Sequence, residues 1–150
     1  MWSRSRATKA FPMEPNLAAV VGGPVTVLSH DGGEKGRFFG GRVISLRRDL
    51  GPVNRRCALA HELGHVVLGH DPAATGWWKV RQEKAADRWA AETLIDPAEY
   101  QAAEQAHGPH PGGIAAELGV TVHLVEVFRA TYKKEAPPRF QIAGGPTGPQ

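Results

Sequence analysis

Apolar side chains recur at three- and four-residue intervals in the middle of the chain, which predicts a largely buried helix. This stripe comprises Cys57, Ala60, Leu63, Gly64, Val67 and Leu68. Pro52 suits the first turn of the helix and Gly69 suits its end, so we expect the helix to span about 52–68. A stripe of mostly small residues predicts a second helix over about 80–95, and small side chains let two helices approach closely.

Short alternating segments upstream of this helix predict strands. They lie at about 24–29, 36–39 and 42–46, and the glycine-rich segments 31–33 and 40–41 supply turns between them. We expect the strands to be antiparallel. The last strand should lie at an edge in contact with water, because Arg42, Arg47 and Arg48 flank it. The predicted fold class is therefore α+β, with a short antiparallel sheet of about three strands packed on a helical core.

The C-terminal third predicts further helices. The sequence from Asp96 to Glu99 matches a helix-capping pattern, so a third helix should cover about 97–106. Two more helical pieces should cover about 113–118 and 122–132. Together they form a C-terminal helical pair, about 110–134, and its Ala115, Gly119 and Val125 fall at the spacing of a helix-turn-helix.

Length and composition indicate one compact domain, over 16–135, between two tails. The chain has 150 residues and is 41% hydrophobic. We expect residues 1–15 to form a flexible basic arm and residues 136–150, with four prolines and three glycines, to be disordered. One cysteine excludes an intramolecular disulfide, and no apolar run is long enough for a secretory signal or a membrane span, so we expect a cytoplasmic protein with no membrane contact.

Seven basic residues lie between positions 35 and 56, although the net charge is only +3. Such a basic edge could contact an acidic polypeptide or a nucleic acid. We favour the simpler interpretation, that it is the solvated face of a strand.

The predicted central helix contains His61-Glu62-Leu63-Gly64-His65, which matches the pattern H-E-x-x-H. Residues four apart project from one helix face, so His61 and His65 could hold a single zinc ion. Glu62 could then act as general base on a metal-bound water. A solvated helix with this spacing by accident is the alternative. We disfavour it because histidine and glutamate on a buried helix need a partner.

The second predicted helix places Glu83 and Asp87 four residues apart on one face. Glu83 would complete three protein ligands and leave the fourth zinc position for water. Asp87, one turn further on, could accept a hydrogen bond from the free ring nitrogen of His61. The alternative is an ordinary exposed acidic face paired with neighbouring cations, namely Lys79, Arg81 or Arg88.

Two segments resemble the ImmA/IrrE family of small zinc metallopeptidases. Residues 56–65 read RCALAHELGH, and residues 83–97 read EKAADRWAAETLIDP. That family carries H-E-x-x-H followed by E-x-x-A-[ND]-x-[FW]-A-A-x-x-L. The resemblance covers about 25–132 in layout, and its departures from the usual pattern, at Cys57, Thr93 and Asp96, lie outside the predicted site.

The resemblance implies a minimal zincin-like domain of the gluzincin type, whose edge strand binds extended peptide. It implies that His61, His65 and Glu83 are the zinc ligands and that Glu62 is the catalytic base. The partner it implies is a protein substrate, a helix-turn-helix transcriptional repressor of a phage, mobile element or stress response.

Several assignments stay open at this point. Cys57 could be a fourth ligand, although a small buried hydrophobe is the favoured interpretation. His70 falls one residue short of the spacing H-E-x-x-H-x-x-G-x-x-H. For Trp77 and Trp78 we favour core packing beside the site over a substrate-facing lid. The candidates for stabilising the oxyanion are Tyr100, His107, His110, His123 and Tyr132.

Two other functions compete with the peptidase. A zinc-containing regulator could bind a repressor without cutting it. A helix-turn-helix protein could bind DNA directly through His123, Glu126 and Arg129, but these residues neutralise phosphate poorly, so we disfavour DNA binding.

Overall fold

The structure, a computed structural model, describes residues 20–135; the predicted basic arm and C-terminal tail lie outside this range. Between residues 26 and 135 of the described range, three strands are followed by five helices. The strands are β1 (Thr26–His30), β2 (Gly36–Phe38) and β3 (Val43–Arg47). The helices are α1 (Pro52–Val67), α2 (Gly76–Leu94), α3 (Pro97–His107), α4 (Pro111–Leu118) and α5 (Val122–Glu135). The predicted α+β class is confirmed.

The sheet is mixed, with strand order β1-β3-β2. β2 runs antiparallel to β3, with Gly36 opposite Leu46, whereas β1 runs parallel to β3, with Thr26 opposite Val43. The prediction of an entirely antiparallel sheet is therefore wrong for one of the two strand pairs.

β3 is the central strand, so its predicted place at an edge is also wrong. Ile44, Ser45 and Leu46 are almost completely buried, as a strand paired on both sides requires. The flanking arginines are held by the protein and do not mark an edge in water. Arg42 donates hydrogen bonds to three backbone carbonyls of residues 21–24, and Arg48 forms an ion pair with Asp31.

Helix α1 packs against both the sheet and α2. Ala58, Leu59, Leu63 and Val66 join the cluster that covers the sheet, whereas Cys57 and Ala60 join the larger cluster made with α2 to α5. The contact with α2 is close at Gly64, where an added Cβ would lie 3.0 Å from the carbonyl oxygen of Ala86. This approach brings the polar faces of the two helices together.

Helix α2 begins at Gly76, which is earlier than the sequence predicts, and its first turn carries Trp77 and Trp78. Each tryptophan is 62% exposed, so the prediction that they pack in the core is wrong. Their rings contact each other at 4.7 Å, and the guanidinium of Arg81 lies 5.2 Å from the ring centre of Trp77. Both rings therefore lie on the surface at the start of α2 and contact each other there.

The C-terminal helices follow the predicted boundaries closely. Asp96 caps α3 by accepting a hydrogen bond from the N–H of Ala98. Between α4 and α5 the chain turns through Gly119, which has a φ of +67°, and the two helices meet at 104°. Arg56 of α1 donates a hydrogen bond to the carbonyl of Gly119, so this turn is tied to the helix that carries the histidines.

Among residues 20–135, no single helix is both long enough and apolar enough to cross a membrane. Only α4 and α5 taken together meet that test of length and composition, and they do so despite the sharp bend between them.

Candidate metal centre

Three side chains meet where α1 and α2 approach each other. Ligand atoms of His61, His65 and Glu83 lie within 4.8 Å of one another. The Nε2 atom of His61 is 2.9 Å from Oε2 of Glu83 and 3.2 Å from Nε2 of His65, and the latter is 3.4 Å from Oε1 of Glu83. The structure therefore brings together the three residues that the sequence singles out on two separate helices.

The ring of His61 is oriented by Asp87. Its Nδ1–H donates to Oδ1 of Asp87 across 2.7 Å, so a neutral His61 directs the lone pair of Nε2 at the carboxylate of Glu83. Three hydrogen-bond acceptors then converge on one point. Their lone pairs repel one another unless a cation lies among them. Two imidazoles and one carboxylate are a donor set that suits a divalent transition metal, so these residues fit a metal ion.

The electrostatics favour positive charge at the same point. Burial alone would lower the pKa of His61, but its hydrogen bonds with Asp87 and Glu83 raise that pKa to about 10. The hydrogen bonds from His61 and His65 lower the pKa of the Glu83 carboxyl well below its ordinary value. A proton on His61 or a divalent cation between the side chains would satisfy this preference.

Asp87 connects three elements. Its Oδ2 accepts a hydrogen bond from Nε2–H of His123 across 2.8 Å while Oδ1 is bonded to His61. Burial would raise the pKa of Asp87, but these two hydrogen bonds lower it. The carboxylate is thus kept charged, and it links the histidine-bearing face of α1 to the start of α5.

The ring of His65 is held differently. Phe38 of β2 stacks on it with the ring centres 5.3 Å apart and the planes inclined by 15°. Its Nδ1 atom lies 2.8 Å from Nδ1 of His70, just beyond the end of α1. Burial lowers the pKa of His70, as does the neighbouring His65.

Glu62 lies beside this cluster and is only 6% exposed. Burial raises the pKa of its carboxyl, against the opposing effect of His61 and His65. A carboxyl group with a raised pKa is better matched to accepting and returning a proton near neutral pH. The sequence predicts Glu62 as the base, and its surroundings are compatible with that role.

Gly36 of β2 makes room for Glu62, and the sequence analysis did not identify it. An added Cβ at Gly36 would lie 2.5 Å from Oε1 and 2.6 Å from Cγ of Glu62. Alternate residues of a strand share one face, so Gly36 and Phe38 both face α1, the first against Glu62 and the second against His65. A glycine inside a strand often marks such a close approach, and that was the available signal.

These groups line one cleft with a cavity of about 630 Å³. β2 and the preceding turn form one wall, α1 forms the floor, and the start of α2 with the loop before it forms the opposite wall. Thr121, His123 and Leu124 close one end. In the sheet of the described residues β2 pairs only with β3, so its other edge is available beside the cleft.

The other candidate residues differ in whether they line the cleft and are free to act there. Cys57 lines the cleft but is buried, and burial raises the pKa of its thiol, which suits a small core residue better than a ligand. Of the five candidates for stabilising an oxyanion, His123 lines the cleft. Tyr100 instead is buried and bonded to Glu104 and Arg129.

Comparison with known proteins agrees with this geometry. A family model described as the IrrE N-terminal-like domain, a peptidase family, matches residues 23–128. The match spans the whole sheet, helices α1 to α4 and half of α5. No match was found among the curated proteins or the solved structures. Since the matched range is well over half of the chain, the protein belongs to the IrrE N-terminal-like peptidase family, which is of the metallopeptidase type.

Proposed function

We propose that this protein is a zinc-dependent endopeptidase in which His61, His65 and Glu83 hold the metal and Glu62 is the general base. One observation carries the proposal: ligand atoms of three side chains from two helices converge on one point next to a buried carboxyl group, inside a cleft. A histidine pair with one glutamate is the ligand set of catalytic zinc sites that keep a position open for water. The family match supports a metallopeptidase, and the choice of zinc rests on this donor set.

The chemistry divides between the ion and the side chains. Bound zinc would polarise the attacking water and the scissile carbonyl. Asp87 keeps the proton of His61 on Nδ1, so that Nε2 stays available as a ligand. Glu62 accepts a proton from the attacking water at a carboxylate oxygen and returns it to the leaving amine. Its buried position excludes bulk water from that exchange.

The substrate is proposed to bind as an extended peptide along the outer edge of β2. The last predicted strand, which we expected at the edge, cannot take this role, because β3 is already paired on both sides. Main-chain hydrogen bonds to an edge strand give affinity without requiring a particular sequence. Since Gly36 lies against Glu62, a peptide on this edge would pass directly over the base.

The proposed substrate is a helix-turn-helix transcriptional repressor, which is the class implied by the ImmA/IrrE resemblance. DNA binding by the chain itself gains no support from α5. His123 is bonded to Asp87, and Arg129 donates to the hydroxyl of Tyr100 and the carbonyl of Pro109. Two of the three residues proposed to read DNA are therefore engaged within the protein and are not free for phosphate.

The test is to incubate the purified zinc-loaded protein with a helix-turn-helix repressor from the same genome and to follow cleavage by mass spectrometry. We expect the wild type to cut and Glu62→Gln to retain zinc but lose cleavage by about 10²–10⁴-fold, the usual contribution of a general base. Glu126→Gln, a change at an exposed glutamate of α5, is the matched control and should cut normally.

Full cleavage by Glu62→Gln would remove Glu62 from the mechanism. Tight binding of the repressor by a zinc-loaded wild type that never cuts it would favour the non-proteolytic regulator instead. Absence of zinc from the purified wild type, even after incubation with zinc salts, would contradict the proposal as a whole.

A further inference from the structure

The end of α1 folds back so that His70 lies against His65. Gly69 adopts a φ of +64°, its N–H donates to the carbonyl of Val66, and the N–H of His70 donates to the carbonyl of His65. This pair of bonds after a left-handed glycine is the Schellman motif. The motif places the residue after the glycine over the residue five positions earlier.

An apolar pair usually fills that contact. Here the pair is two imidazoles, with their Nδ1 atoms 2.8 Å apart and their ring centres 5.0 Å apart at an angle of 66°. Two ring nitrogens at this distance share one proton, so one donates and the other accepts.

The other nitrogen of His65 decides which one donates. Its Nε2 faces Nε2 of His61 and the carboxylate of Glu83, at the point where the three candidate ligands converge. A histidine that ligates through Nε2 must carry its proton on Nδ1. His65 is then the donor, and Nδ1 of His70 is the acceptor.

We propose that His70 is a positioning residue for the metal: it accepts a hydrogen bond from Nδ1–H of His65 and so holds the lone pair of Nε2 on the ion. This inference rests on the proposed function. His70 orients the ring of His65 in the way that Asp87 orients the ring of His61. The difference is that the acceptor is a neutral imidazole in His70 and a carboxylate in Asp87, so His70 adds no negative charge to the site. Phe38 fixes the plane of the same ring, and His70 fixes its proton.

The experiment measures zinc affinity of the full chain by competition with a chromophoric chelator. His70→Ala removes the acceptor, and we expect affinity to fall by about 10–100-fold, the usual cost of losing such a partner. His70→Asn keeps an oxygen acceptor close to the position of Nδ1 and should retain most of the affinity. The control is His107→Ala, a histidine in the last turn of α3 that lies outside the cleft lining and should bind zinc normally.

The unfolding temperature of each metal-free variant is measured alongside, because a purely structural role would lower stability as well as affinity. We expect His70→Ala and His70→Asn to unfold at similar temperatures while differing in zinc affinity. Equal affinity of His70→Ala and the wild type would overturn the inference and leave the proposed function intact. An equally low zinc affinity of His70→Ala and His70→Asn would overturn the acceptor role. A wild type that binds no zinc would overturn both proposals.

Discussion

Two segments of helix α2 face the same partner helix but bury different chemistry. The polar segment, 83–87, carries Glu83 and Asp87, whose carboxylates meet the histidines of α1. The apolar segment, 90–94, carries Ala90, Ala91 and Leu94, which pack into an apolar cluster with α3, α4 and α5. The apolar segment is satisfied by packing alone, whereas the polar segment presents converging ligand atoms that need a cation. Changes in the apolar segment should therefore affect stability, and changes in the polar segment should affect metal binding and catalysis.

The largest effect is expected from Glu83→Ala. Loss of a ligand should weaken zinc binding by more than about 100-fold, which exceeds the 10–100-fold cost of losing an outer partner. Chelator competition measures the affinity, and circular dichroism should show that the helices persist. Glu92→Ala is the matched control, because Glu92 lies on the same helix and pairs with Arg88. Wild-type affinity in Glu83→Ala would show that Glu83 is not a ligand.

Gly36→Ala should impair catalysis and leave the metal in place. The new methyl group would meet Glu62 at 2.5–2.9 Å, so the carboxyl must move from its position beside the cluster. Displacing a catalytic group by about 1 Å can cost about 100-fold in rate. The measurements are repressor cleavage and zinc content. Gly112→Ala is the control and should cut normally, because an added Cβ there meets nothing within 4 Å. Normal cleavage by Gly36→Ala would show that Glu62 is not the base.

The features that the sequence predicted well are those set by helix periodicity. The spacing of His61, His65, Glu83 and Asp87 places each pair on one helix face, and the small residues of α2 explain why the faces meet. Helix boundaries were marked by local signals such as Pro52, Gly69 and the cap at Asp96. These features depend on residues within a few positions of one another, so they can be read along the chain.

The features that were missed depend on contacts between distant segments. Strand direction and order are set by how the sheet closes on α1, and Arg42 looked like an edge marker because its three carbonyl partners could not be foreseen. The role of Gly36 exists only through Glu62, which follows it by 26 positions. His70 did have a local signal, since Gly69 predicts the turn that carries it back to His65.

Leu94→Ala tests the apolar segment of α2. Truncating a buried leucine should lower the free energy of unfolding by about 2–5 kcal/mol, since the cavity only partly collapses. Zinc affinity of the folded protein should stay at the wild-type value. Denaturant unfolding gives the first quantity and chelator competition the second, with Val80→Ala, at an exposed position of the same helix, as the neutral reference. A loss of zinc affinity in Leu94→Ala would show that the polar and apolar segments are coupled.

Gly64→Ala probes the closest contact between α1 and α2, opposite Ala86. The added Cβ would lie 3.0 Å from the carbonyl oxygen and 3.1 Å from Cα of Ala86, both of which are backbone atoms. Overpacking of this kind typically costs about 1–3 kcal/mol. The helices must separate slightly, so this variant should lose both stability and zinc affinity. If only stability falls, the ligand cluster tolerates a wider helix spacing than the structure suggests.

The last effect is a pH dependence confined to the metal-free protein. The pKa of His61 is raised from 6.5 to about 10, so the protonated ring stabilises the folded state fully below pH 6.5, and this stabilisation is lost as the pH rises towards 10. Between pH 7 and 9 the metal-free protein should therefore become less stable as the pH rises. Zinc takes the place of that proton, so the zinc-loaded protein should show a flatter profile over the same range. Thermal unfolding of both forms at several pH values measures the difference.

Asp87→Asn is the control, because it removes the carboxylate beside His61, and it should flatten the pH profile of the metal-free protein. An equally steep profile in that variant would show that another group is responsible.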